Sequence, residues 1–252
     1  MSDNFKHYSQ YYDLLYQDKD YQAETKYIVE LIEQYGPNSE HILELGSGTG
    51  IHAQLLAANG YQIFGIERSA EMVAIANQTP NKKVQFEVSD IVDFTLNQKF
   101  DVALSLFHVI SYLTDNESLV KTFKNVHQHL NSEGLFIFDV WHSDAVHHQI
   151  PEKRTKTLQN DAVEITRKAT PTIKSAINVV EVAYDISVRN KADNQTFNFK
   201  ENHPMRHFCR PEIELLAIAT GFDVIHSEEF LSKNEPSSAT WGVCYIFKKH
   251  HK

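Results

Sequence analysis

His41–Arg68, HILELGSGTGIHAQLLAANGYQIFGIER, decides the fold. Ile42, Leu43 and Leu45 make a short apolar run suited to a buried parallel strand. Gly46, Gly48 and Gly50 follow at once. Ile51–Asn59 has helical spacing, with Leu55, Leu56 and Ala58 for one face, and Gly60 stands where a helix-ending left-handed residue is wanted. Tyr61–Ile66 is a second strand, closed by Glu67. The unit fits one right-handed βαβ half of a nucleotide-binding sheet.

The glycine spacing discriminates between ligands. A dinucleotide fingerprint requires G-x-G-x-x-G, whereas here the pattern is G-x-G-x-G and the sixth position is Ile51. A pyrophosphate at this helix N-terminus would meet Glu44 at the mouth of the loop and be repelled. An ammonium group would be attracted, and Glu67 is placed to accept hydrogen bonds from ribose hydroxyls. A nucleoside lacking phosphate but carrying a cationic amino-acid tail meets these conditions, and S-adenosylmethionine is such a molecule. Here the sequence resembles the class I S-adenosylmethionine-dependent methyltransferases, whose E/D-x-G-x-G-x-G signature is matched by Glu44, Gly46, Gly48 and Gly50. Two alternatives stand beside it: an NAD(P)-dependent reductase, opposed by the glycine spacing and Glu44, and a cofactor-binding regulatory or assembly protein whose acceptor site is lost.

The 252 residues suit one α/β domain with an embellishment. The net charge of −9 and the lack of a basic run argue against DNA or RNA as substrate and leave small molecules. Cys209 and Cys244 form no disulfide framework or zinc cluster, so a reducing compartment and metal-independent chemistry are expected. The N-terminus has no apolar signal core and no stretch approaches transmembrane length, which gives the expectation of a cytoplasmic protein. His250 and His251 read as a solvated tail.

Met1–Lys19 is dense in tyrosine (Tyr8, Tyr11, Tyr12 and Tyr16), and Asp20–Tyr35 has helical spacing. An aromatic segment before the first strand is suited to folding over the strand ends, where open α/β sheets bind ligands. Methyltransferases of small molecules contain patterns like YDLLYQDKDYQAE at Tyr12–Glu24. That resemblance implies that Tyr21 bonds the methionine carboxylate and that Tyr12 lines the methyl-donor side. Ser69 caps a helix over Ala70–Gln78, and Lys83–Val88 is the third strand. The resemblance implies that Met72 packs on the adenine, Asp90 accepts from its amino group and Ile91 covers the ring; Arg68 and Leu106 complete the implied cofactor set. Asp93 competes with Asp90 for that role.

Phe100–Phe107 is the fourth strand, followed by His108 and Tyr112 where the reactive end of a ligand falls. An imidazole titrating near neutrality suits a general base, and Tyr112 is the second candidate. Asp115 caps a helix over Asn116–Leu130, and Leu135–Val140 is the fifth strand, bringing Asp139, Trp141 and His142 to the same edge.

Residues 143–208 break the alternation. Val163–Ala169, Ile177–Arg189 and Thr196–Phe208 are β-rich, with a turn at Asn190–Asn194. Positive charge in this section suits either a solvated face or a phosphate site, with His203, Arg206 and His207 as its inner rim. The parent pattern resumes with a helix from Pro211 to Thr220 and two strands, Phe222–Leu231 and Thr240–Lys248. The expected architecture is α/β: a Rossmann-like, open, mostly parallel seven-stranded methyltransferase sheet with helices on both faces, plus an inserted antiparallel β-sheet. Its sections are a core with N-terminal cap over 1–142, an insert over 143–208 serving as substrate lid or homodimer contact, and a return to the core over 209–252.

The tyrosine-rich start, FHVISYL after the fourth strand and the insert before Pro211 resemble bacterial methyltransferases that N-methylate amino groups of nucleotide-linked deoxysugars. Others of that group are associated with surface polysaccharides. The resemblance implies a small, nucleotide-linked acceptor held between core and insert, touched by Trp141, His142, His203 and Arg206, with S-adenosylhomocysteine as coproduct. Sugar N-methyltransferases generally carry small residues where this chain has His108. Amino and hydroxyl acceptors both stay open at this point.

Overall fold

A computed structural model describes residues 9–250; Tyr8 and His251 lie outside them. The core strands are β1 (His41–Leu45), β2 (Gln62–Glu67), β3 (Val84–Val88), β4 (Phe100–Ser105) and β5 (Leu130–His142). The insert supplies β6 (Arg154–Gln159), β7 (Val163–Lys174), β8 (Val179–Asn190) and β9 (Thr196–Phe208), and the chain ends with β10 (Phe222–Glu229) and β11 (Gly242–Lys249). The helices are α1 (Tyr12–Leu15), α2 (Tyr21–Tyr35), α3 (Ile51–Ala58), α4 (Ala70–Ala76), α5 (Asn116–His129), α6 (Ser143–His148) and α7 (Arg210–Thr220).

β3, β2, β1, β4 and β5 lie side by side and parallel, and β11 then β10 continue the sheet antiparallel from the far edge of β5. This is the seven-stranded, mostly parallel sheet expected from the sequence. Alternation along β5 shows why helices cover both faces. Phe136, Phe138 and Val140 enter one cluster with Phe123 of α5 and Ile213 of α7. Leu135 and Ile137 enter the other, with Ile28, Leu31 and Ile32 of α2 and Leu56 of α3. Asp20, Ser69 and Asp115 cap α2, α4 and α5 by accepting from the backbone N–H groups of Ala23, Met72 and Ser118.

β5 begins at Leu130, directly after α5, and not at Leu135. The polar run Asn131–Gly134 looks like a turn in sequence but is held in the strand by an irregularity opposite Phe100–Val102, with Glu133 in the left-handed region at φ 61°. β4 stops at Ser105 because Phe107 and His108 are both left-handed, at φ 64° and 60°. β6, RTKTLQ, carried no strand pattern; it is the charged edge of the insert sheet.

The insert is an antiparallel meander, β6–β7–β8–β9. Its last strand returns to the core: Trp141↔His207 and His142↔Phe208 pair β5 with β9 in parallel. β9 takes the edge of β5 that β4 vacates after Ser105. The N-terminal segment ties core and insert together. Leu15 is fully buried against Leu158, Ile165, Ile186 and Val188 of the insert, and Lys156 Nζ lies 2.7 Å from the Asp18 carboxylate. Among the described residues no helix is long and apolar enough to cross a membrane.

Candidate active site

The carboxyl ends of β1, β2, β4 and β5 open into a cavity of about 570 Å³, roofed by the N-terminal tyrosines and walled by β7–β9. Its floor follows from the opening motif. Glu44 is 3% exposed on β1, and its Oε2 has no hydrogen-bond partner. Burial raises its pKa to about 8; Lys19 opposes that rise and Glu67 adds to it. Glu67, the last residue of β2, accepts from the backbone N–H groups of Gly48 at 3.2 Å and Ser69 at 2.9 Å. Burial lifts the Glu67 pKa, and these two N–H groups offset part of the rise.

Gly46 is left-handed (φ 69°), and a Cβ there would stand 2.8 Å from the Val109 methyls. Gly50 is also left-handed (φ 80°), and its Cβ would stand 2.5 Å from the Phe86 ring. Gly50 therefore lets the loop pack on β3 and does not line the cavity.

Of the cofactor set, Tyr21, Glu44, Gly46, Gly48, Glu67, Arg68, Met72, Asp90, Ile91 and Leu106 line the cavity. A nucleoside with a cationic tail fits them: an unpartnered buried carboxylate at the β1 end, a second carboxylate held by backbone N–H groups at the β2 end, and Met72 with Ile91 as apolar walls. A set of residues around Tyr21 went unassigned in the sequence reading. Glu24 Oε2 lies 2.9 Å from His52 Nε2 and pairs with Lys19, whose ammonium sits 4.3 Å from the Tyr21 ring centre and 4.5 Å from that of Phe107.

Tyr12, His108, Tyr112, Trp141 and His203, expected on the acceptor side, line the same cavity. His108 Nδ1 lies 2.7 Å from Asp139 Oδ2, and the His108 backbone N–H donates to Asp139 Oδ1 at 3.1 Å. Burial alone would raise the Asp139 pKa; the His108 charge and hydrogen bonds override it and hold the carboxyl below its ordinary value. The Tyr112 hydroxyl lies 2.7 Å from His203 Nδ1, and His203 Nε2 lies 3.1 Å from Glu201 Oε2.

Two expected substrate residues do not line the cavity. His142 is buried, its Nε2 3.9 Å from Asp144. Arg206 is committed to Asn116 at 2.8 Å and to Glu212. The cation that reaches in from the insert is Arg167 of β7, centred 4.8 Å from the Tyr184 ring and 5.4 Å from that of Tyr16. Tyr16 carried a signal in the tyrosine-rich start. Arg167 stood in the sequence only as one of several positive charges of the insert, and Tyr184 carried no signal, because their facing depends on strand register across Ala169↔Tyr184 and Arg167↔Ile186.

Residues 42–134 match the family model described as a methyltransferase domain. Among curated relatives, this chain is 25% identical over 221 residues to dTDP-3-amino-3,6-dideoxy-alpha-D-glucopyranose N,N-dimethyltransferase of Streptomyces fradiae, covering 84% of this chain and 82% of that one. Among solved structures it superposes on DesVI of Streptomyces venezuelae with a TM-score of 0.81 at 21% identity, over 96% of this chain and 98% of that one. A SAM-bound amino pentose methyltransferase from Micromonospora echinaspora gives 0.77 at 18% identity, over 98% of both chains. The fold is that of S-adenosylmethionine-dependent methyltransferases. Methyl transfer is supported over the reductase and regulator alternatives.

Proposed function

We propose that the protein transfers a methyl group from S-adenosylmethionine to the amino group of a small, sugar-like acceptor linked to a nucleotide. The observation that carries this is the division of one cavity between two chemistries: Glu44 and Glu67 on the floor, and imidazole–carboxylate pairs facing the other half. The relatives add the acceptor class, since the Streptomyces fradiae enzyme is named for a dTDP-linked amino sugar. Arg167 and Arg68 give the cavity two guanidinium groups, suited to a phosphate-bearing acceptor.

Glu67 would hold the ribose hydroxyls, Glu44 and Tyr21 the charged tail, and Asp90, Ile91 and Met72 the base. When bound, the cofactor supplies an electrophilic sulfonium methyl. What this chain must do is align the acceptor, exclude water and take up a proton. Alignment alone is worth up to about 7–11 kcal/mol of barrier. The aromatic roof of Tyr12, Tyr16 and Phe107 keeps water out. Asp139 orients His108 through Nδ1, leaving Nε2 to accept the proton that frees the amine lone pair. The insert faces the cavity through Arg167, Tyr184 and His203, which favours an acceptor wall over a dimer contact as its role.

The test is calorimetric titration with S-adenosylhomocysteine, with NADH as control, followed by methyl transfer from S-adenosylmethionine to dTDP-3-amino-3,6-dideoxyglucose. Micromolar binding of the first ligand alone and N-methylated product are expected. NADH binding, or no binding to folded protein, overturns the cofactor reading; cofactor binding without product overturns the acceptor.

A further inference from the structure

We propose that Tyr112, His203 and Glu201 form a proton relay opening on the acceptor half of the cavity, with Tyr112 as a second catalytic residue and His203 and Glu201 as positioning residues behind it. The proposal rests on the methyl-transfer reading for its reaction, and on geometry for its members.

The three groups stand in line. The Tyr112 hydroxyl is 2.7 Å from His203 Nδ1 and His203 Nε2 is 3.1 Å from Glu201 Oε2. A carboxylate only accepts, so Nε2 carries the proton toward Glu201, and Nδ1 is then the ring's acceptor, facing the Tyr112 O–H. The chain of donors thus runs from the cavity into the protein. Glu201 and His203 are 8% and 3% exposed, while Tyr112 lines the cavity wall.

The fold supports this arrangement. Glu201, His203 and Met205 are alternate residues of β9 and share one face of the insert sheet. Tyr112 reaches them from the turn after β4, and the Tyr184 ring of β8 packs edge-on against His203 at 4.9 Å. Burial, with Tyr16 and Tyr184 nearby, holds the Tyr112 pKa well above its ordinary value, so the phenol keeps its proton at rest. It acts only by passing that proton on as it receives another.

An amino acceptor that arrives as an ammonium ion sheds one proton to expose its lone pair and a second after it is methylated. His108 accounts for one. In the relay, an acceptor N–H proton goes to Tyr112 Oη while the Tyr112 proton goes to His203 Nδ1. His203 becomes an imidazolium facing ionised Glu201 and later returns its proton to solvent. Two imidazole–carboxylate pairs match two protons.

The experiment compares wild type with Tyr112→Phe and Glu201→Gln, each checked for folding by unchanged S-adenosylhomocysteine affinity. Long-range ¹H–¹⁵N spectra of the histidine rings, recorded without acceptor, should show His203 protonated at Nε2 alone in wild type and a mixture of tautomers in Glu201→Gln. With S-adenosylmethionine and dTDP-3-amino-3,6-dideoxyglucose, Tyr112→Phe should lower kcat by about 10²–10⁴-fold with KM within about threefold. An Nδ1–H tautomer in wild type, or an unchanged kcat in Tyr112→Phe, overturns the relay. If wild type does not methylate this acceptor, the acceptor assignment fails, and the ring spectra alone decide the relay.

Discussion

His108 Nδ1 and Asp139 Oδ2 stand 2.7 Å apart at the end of β5, with the carboxylate 1% exposed. The pair joins a cavity-lining imidazole to a charge that water does not reach. Asp139→Asn keeps the shape and removes the charge. It should cost about 1.5–3 kcal/mol at pH 7, the range for a hydrogen bond to a charged group. The folded pKa of Asp139 lies below the unfolded value. This stability is therefore present above the unfolded pKa and lost as pH falls through the folded one. Urea midpoints of wild type and variant should converge between about pH 5 and pH 2.

Removing the imidazole tests the same pair by rate. His108→Ala should lower kcat for amine methylation by about 10²-fold or more, and steady-state rates at saturating S-adenosylmethionine measure it. A variant as fast as wild type would remove His108 from the chemistry.

Glu44 gives cofactor binding a pH dependence. With a pKa of about 8 it holds a proton at neutral pH in the free protein. An ammonium-bearing ligand favours the ionised form, so binding releases that proton, and affinity for S-adenosylhomocysteine should weaken as pH falls from 8 to 6. Calorimetry in two buffers of different ionisation enthalpy should show the release at pH 7, and Glu44→Gln should abolish it. The sign for the ligand-free protein follows from the same shift. The folded state keeps a proton that the unfolded chain gives up, so the Glu44 contribution to stability declines as pH rises from about 4.5 to about 8.

Glu67→Ala removes the proposed acceptor for the ribose hydroxyls and leaves the Gly48 and Ser69 N–H groups without their partner. S-adenosylhomocysteine affinity should drop about 10–100-fold, measured by titration.

Gly50→Ala should destabilise without touching a cavity residue. The left-handed backbone is strained for alanine by about 1–3 kcal/mol, and the added methyl meets Phe86. Thermal unfolding should show a lower midpoint, while S-adenosylhomocysteine still binds the folded fraction.

That the expected cofactor residues gather at one cavity was legible because their placement is local. Glu44, the glycines and Glu67 sit within one βαβ unit, where strand ends and loop length fix geometry. The acceptor half is assembled from residues far apart in sequence. Tyr112 meets His203, and Tyr16 meets Arg167, only after the insert folds back. His203 and Arg206 were placed together on one rim, but they fall on opposite faces of β9, so His203 lines the cavity and Arg206 does not; Arg167 of β7, one of several charges in the insert, is the cation that does. Polar runs misled in the other direction: Asn131–Gly134 looks like a turn and is strand, because β4 pairs with Leu130 on the near side of the irregularity.

The pairing of β9 with β5 has a consequence for traffic through the enzyme. Because Trp141 and His142 bond to His207 and Phe208, the acceptor wall and the floor belong to one hydrogen-bonded fabric. Swinging the wall outward would tear main-chain bonds at the heart of the molecule. The N-terminal segment is fastened to the rim both by exposed links, Thr49 to Asp13 and Lys156 to Asp18, and by Leu15 buried in the apolar cluster of the insert. The inserted sheet is masonry, built into the core at β5.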